Sequence, residues 1–179
     1  LLHGLTALLL ALIVRRTLIR LSHPPDRART TAILAAGAWL LHPLSLSAVV
    51  YVVQRTEVLA ALGSLAALAA FALSLDGVPV ARWRAATVLF CGAAMLAKET
   101  AAITPLLLAL YDRCFHAPSW RDLLVSRGRF YAVLAATWVP LGVLVAAGRG
   151  RGGSAGWDGG VSVKDYLVTQ GEAIAGYVL

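Results

Sequence analysis

AMLAKETAAITP, residues 94–105, sets a lysine and a glutamate side by side, Lys98 and Glu99, in the middle of the otherwise apolar run 85–111. A charge deep in a bilayer costs roughly 3 kcal/mol on insertion scales, so such residues face a protein interior, a wet cavity or one another. The fold turns on whether this run crosses a membrane once or folds back at the charged pair. Each half, 85–97 and 100–111, is short for a full span of about 20 residues, yet the whole run is long for one straight crossing. Two short helices meeting at Lys98-Glu99 make a broken hairpin that must be buried against other helices, with Pro105 as a helix breaker near the bend.

Composition supports a membrane setting for that hairpin. Of 179 residues 59% are hydrophobic and only 14% charged, with a mean hydropathy of +0.76, against about 25% charged residues in a soluble domain. The net charge of +7 does not imply nucleic acid, because the basic residues cluster between apolar runs rather than along one face with interleaved aromatics. Cys91 and Cys114 lie in or beside apolar runs and read as free thiols. The chain starts at Leu1 within an apolar segment and stops at Leu179 within another, so it reads as a fragment truncated at both ends, with no signal peptide. The expected fold is all-α, a polytopic transmembrane helical bundle, with residues 1–147 as the multi-span core.

Outward from the hairpin, residues 1–14 read as the tail of a span, followed by a loop with Arg15, Arg16, Arg20, Arg27 and Arg29 around His23-Pro24-Pro25. Residues 30–46 and 58–75 read as spans, the second rich in the small residues that let membrane helices approach closely. Arg82 and Arg84 flank Trp83 at the next interface; 112–129 reads as a basic loop and 130–147 as a span. Residues 148–179 read as an extracytoplasmic Gly-rich loop followed by the start of an interfacial or further transmembrane helix. With the hairpin, the loops 15–29, 76–84 and 112–129 share one side and hold 11 of the 16 basic residues. With a single crossing the more basic side holds 10, so charge alone separates the two topologies only weakly.

In the hairpin topology His42, Arg55, Glu57, Lys98 and Glu99 converge on the non-cytoplasmic side, together with the Gly-rich loop. Lysine and arginine facing a membrane-embedded pocket make an anion site, since phosphate accepts charge-assisted hydrogen bonds from both. Glu57 and Glu99 would hold the cations in place. Other readings stand beside this one: Arg55 and Glu57 as the watery start of a helix, Lys98-Glu99 as an ion pair closing a bend, His42 as a helix-end residue. The remaining carboxylates have no metal-chelating spacing.

HPLSLSAVVYVVQRTEVLAALGSLAAL from His42, LAKETAAITPLLLALYDR from Leu96 and ATWVPLGVLVAAGRGRGGSAGW from Ala136 resemble the multi-spanning part of bacterial tetratricopeptide-repeat membrane proteins. They are also similar to the transmembrane and tetratricopeptide-repeat O-mannosyltransferases, and through them to the GT-C superfamily of glycosyltransferases. The resemblance implies transfer of a sugar from a polyprenyl-phosphate carrier to an extracytoplasmic protein or glycan acceptor, in a bacterial inner membrane. It implies Lys98 as a ligand of the lipid phosphate and, less directly, Arg55. The carboxylate that serves such enzymes as base lies in a loop upstream of Leu1, so no catalytic residue is assigned and the fragment alone is expected to be inactive. No metal ligand is assigned; a divalent metal is left open, and the lipid-linked sugar is the one cosubstrate implied. The alternatives are a transporter or channel segment, and a structural anchor for tetratricopeptide repeats.

Overall fold

A computed structural model describes residues 1–43, 55–76, 79–147 and 169–170. The chain divides into two compact units, Leu1–Leu141 and Gly142–Leu179. In the second, the described residues are the end of one helix and residues 169–170, so the expected Gly-rich loop and interfacial helix lie outside the described residues.

The first unit is all-α. Helices α1 (Leu2–Arg20), α2 (Pro25–Leu41), α3 (Arg55–Leu75) and α4 (Val80–Ala97) are followed by a 3-10 helix at Glu99–Ile103. Then come α5 (Thr104–Phe115), α6 (Trp120–Ala135) and α7 (Trp138–Ala147). Four segments are long and apolar enough to cross a membrane: α1, α3, α4 and the 27-residue stretch Trp120–Ala146 formed by α6 and α7. Leu8, Leu89, Val125 and Val139 stand exposed along these helices, which is costly in water and favourable against lipid. This is an integral membrane protein.

Helix α3 is the centre of the bundle, with 44% of its apolar window buried against 11–22% for the other three candidate spans. Its small residues explain that position. A Cβ placed on Gly63 would lie 2.8 Å from Ala94 Cβ, so α3 and α4 approach more closely there than any larger residue allows. Phe71 stacks on Phe130 at 5.5 Å between centroids, and Leu108 and Leu134, neither with any exposure to solvent, complete the core.

The path of the chain follows from contacts at the two ends of α3. Asp76, just past its C-terminus, pairs with Arg16 and with Arg20 at 3.2 Å, both in the last turns of α1. Glu57, in its first turn, pairs with Lys98. Helix α4 therefore runs from the Asp76 end to the Glu57 end. Helix α5 runs back: Ser64 and Thr104 hydroxyls meet at 2.8 Å partway along α3, and Tyr111 and Thr17 hydroxyls meet at 2.8 Å near Asp76. The segment is a hairpin broken at Lys98, and Arg20, Arg84 and Arg121 share one end of the bundle.

Several boundaries differ from those read in the sequence. Helix α1 does not stop at Val14 but continues through Arg15 and Arg16 to Arg20, because arginine stems pack along a helix end while their heads reach a polar partner. Helix α2 begins at Pro25 rather than Thr30, since proline suits the first helical turn. It has 17 residues and ends before His42, so the expected 30–46 span is shorter than a crossing helix, and residues 44–54 lie outside the described ones. Helix α4 begins at Val80, not Ala85, and its 18 residues suffice for a crossing. Residues 112–129 are not a loop: α5 and α6 occupy them except for a turn at 116–119. Pro105 sits in the first turn of α5, so the break lies just before it.

Candidate functional site

The hairpin breaks at Lys98 for a local reason. Proline at 105 has no N–H to give the carbonyl of Ala101 and its ring would clash there, so a continuous helix through 98–105 is disfavoured. The backbone N–H of Lys98 closes α4 on Ala94 O at 3.1 Å, and its carbonyl opens the 3-10 helix by accepting from Ala101 N at 3.1 Å. Between these bonds Lys98 is extended, φ −158° and ψ 140°, a conformation any residue adopts without strain. The 3-10 helix is pinned from outside by Trp138 Nε1, which donates to Ala102 O at 2.9 Å.

The break turns the Lys98 ammonium toward the first turn of α3, where it donates to Glu57 Oε1. The two side chains remain 29% and 38% exposed. A carboxylate in the first turn of a helix is also favoured by the helix dipole, which places Glu57 well for this pairing. Lys98 thus keeps hydrogen-bond donors beyond the one Glu57 takes, on a cation that is open to its surroundings.

The five residues singled out in the sequence are distributed as follows. Lys98 and Glu57 meet directly. Arg55 is the first residue of α3, exposed, two positions before Glu57. Glu99 begins the 3-10 helix and is exposed. His42 ends α2 in an extended conformation; α2 runs antiparallel to α1, with His3 and Trp39 rings 6.5 Å apart, so His42 belongs to the end of the bundle opposite Asp76. Lys98's ion-pair partner is therefore Glu57, 41 positions away, rather than its neighbour Glu99. Beside the pair, a shallow apolar groove of about 300 Å³ runs between α3 and α4, lined by Leu59, Leu62, Gly63, Phe90, Ala94 and Ala97 among others. Among the described residues there is no group of three or more His, Cys, Asp and Glu that could hold a metal ion.

A second charged cluster, absent from the sequence reading, lies at the other end. Asp112 has no exposure to solvent. Arg127 Nη1 donates to both its oxygens at 2.8 and 3.0 Å, and Tyr131 Oη donates to Oδ2 at 2.8 Å. His116, in the turn after α5, has both ring nitrogens buried and without a partner. Burial first, and then the positive charge of Arg20 and Arg127, lowers its pKa to about 4, against the opposing pull of Asp112 and Asp76. The sequence carried a signal for Asp112: the buried positions of α5 are Thr104, Pro105, Leu108 and Asp112, a helical stripe in which the carboxylate takes the place of an apolar residue.

The chain matches no protein-family model, no curated protein and no solved structure.

Proposed function

We propose that this chain is part of an integral-membrane glycosyltransferase that takes a sugar from a polyprenyl-phosphate carrier and transfers it to an extracytoplasmic acceptor, in the manner of protein O-mannosylation. The observation that carries the reading is the partly exposed Lys98 ammonium at the hairpin break, held from one side by Glu57. Displacement at an anomeric carbon leaves a lipid phosphate with growing negative charge, and a preorganised cation in a dry site stabilises that charge more than water does. The groove between α3 and α4 begins at Ala97, next to Lys98, and offers apolar surface to the hydrocarbon of a lipid whose phosphate sits on the lysine. The motifs His42-Pro43, Arg55-Thr56-Glu57 and Lys98-Glu99 occur in the order found in the GT-C-like enzymes that the sequence resembles.

The Glu57 pairing favours a second reading, in which the bridge only closes the bend. Donor-lipid binding by the complete protein separates the two. Lys98→Ala is expected to weaken binding or slow transfer by about tenfold or more, the equivalent of one charge-assisted hydrogen bond, with expression and insertion near normal. Lys98→Arg keeps part of the function, because charge survives while geometry changes. Glu57→Gln leaves the cation in place and does not lower binding. Unchanged donor affinity and transfer in Lys98→Ala would make the pair structural.

A further inference from the structure

Six helix termini meet at the Asp76 end of the bundle: the C-termini of α1, α3 and α5 and the N-termini of α2, α4 and α6. They bring 11 arginines to that end against four carboxylates, Asp26, Asp76, Asp112 and Asp122. The arginines fall into two groups. Arg16 and Arg20 are held by Asp76, Arg127 by Asp112, Arg113 by Ala117 O at 3.3 Å, and Arg84 lies 5.6 Å from the Phe130 ring centroid. The other six, Arg15, Arg27, Arg29, Arg82, Arg121 and Arg129, are exposed, and their side chains make no hydrogen bond or ion pair with the described residues.

Four of these, Arg27, Arg29, Arg82 and Arg121, stand in the opening turns of α2, α4 and α6 at the rim where the apolar sides of the helices end, whereas Arg15 and Arg129 lie further in along α1 and α6, from where their long stems extend toward the same rim. Arg121 adjoins the exposed Trp120 and is followed by the exposed Leu124 and Val125. Arg82 adjoins Trp83, and Leu89 and Phe90 are exposed further along α4. Lipid covers those apolar sides, so the guanidinium groups lie at the height of the headgroups, with tryptophan at the boundary where its amphipathic ring is favoured. The opposite end has no such excess, since its described charges are Arg55 and Lys98 against Glu57 and Glu99. A zwitterionic headgroup layer would leave six cations without counter-charge, whereas anionic headgroups supply it.

We propose that the Asp76 end of the bundle is a docking surface for anionic phospholipid headgroups, engaged by Arg15, Arg27, Arg29, Arg82, Arg121 and Arg129. It stands independently of the glycosyltransferase reading. Native mass spectrometry of the complete protein in neutral detergent, offered phosphatidylglycerol or phosphatidylcholine at low salt, tests it. The expected result is about tenfold greater retention of phosphatidylglycerol, declining as salt rises from ~0.05 to ~0.5 M. Replacing the six by glutamine should abolish the preference, and replacing them by lysine should keep it. Equal retention of the two lipids, a preference that salt does not reduce, or a preference intact in the glutamine variant would overturn the proposal. Displacement of the lipid by millimolar inorganic phosphate would assign the surface to free anions instead. Where the glutamine variant fails to fold, the salt series on the native protein decides.

Discussion

Two charged networks at opposite ends of the bundle, Asp112 with Arg127 and Tyr131 and Glu57 with Lys98, are built differently. Asp112 is wholly buried and receives hydrogen bonds from two side chains on the facing helix α6. Glu57 and Lys98 meet through a single contact and remain about a third exposed. A buried carboxylate stripped of water is tolerable only with its lone pairs occupied, and removal of its partner leaves an uncompensated charge. A half-exposed pair keeps solvent as an alternative partner, so its loss costs little and its cation stays open to another ligand. The first network ties α5 to α6; the second ties the start of α3 to the hairpin break and stays partly open to its surroundings.

The most severe test of this contrast is the matched pair Arg127→Ala and Lys98→Ala. Loss of Arg127 leaves Asp112 buried with Tyr131 alone and should cost about 3 to 5 kcal/mol, read as a lower unfolding temperature in detergent. Loss of Lys98 should cost below about 1 kcal/mol. Similar costs for the two would dissolve the distinction between a structural network and an available one.

Packing between the two ends comes next. Gly63→Leu places its side chain against Ala94, where even a Cβ lies at 2.8 Å, and overpacking of this kind costs about 1 to 3 kcal/mol. The same substitution fills the groove beside Lys98, so thermal melting should report the strain, and donor-lipid binding should fall with it under the proposed function. An unchanged melting temperature would show that α3 and α4 can separate freely.

The smallest effect sharpens the description of the Asp112 end. His116 titrates at about 4 in the fold and at about 6.5 in an unfolded chain. Between those values the unfolded chain binds a proton that the folded one does not. The contribution of the neutral ring to stability is therefore complete above pH 6.5, declines as pH falls toward 4, and changes no further below that. Comparing unfolding of the native protein and His116→Gln from pH 7 to 4 isolates this term, expected on the order of 1 kcal/mol once solvent screening of a partly exposed ring is allowed for. Identical pH profiles would place the ring in contact with water.

Much of the architecture was legible because it depends on local chemistry. Apolar length and composition, small residues over 58–75 and the charged interruption at Lys98 follow from the transfer cost of each side chain and from the missing N–H of Pro105. Helix ends were less legible. Arg16, Arg20 and Arg127 looked like loop residues because a charge is normally a sign of water, yet each lies within a helix and turns toward a carboxylate on another one. At the candidate site, Lys98 and Glu57 could each be singled out in the sequence, but the contact between them could not, since it joins positions 41 residues apart.

By itself the sequence determined that the chain is helical, that it belongs in a membrane, and that its basic residues gather between apolar runs. Those properties are sums over residues and their nearest neighbours. Only the tertiary structure decided that α5 runs back along α3, that Lys98 answers Glu57 rather than Glu99, and that Asp112 is sealed among Arg127 and Tyr131. An ion pair depends on distance and burial, and both are set by how helices far apart in the chain come to lie against one another.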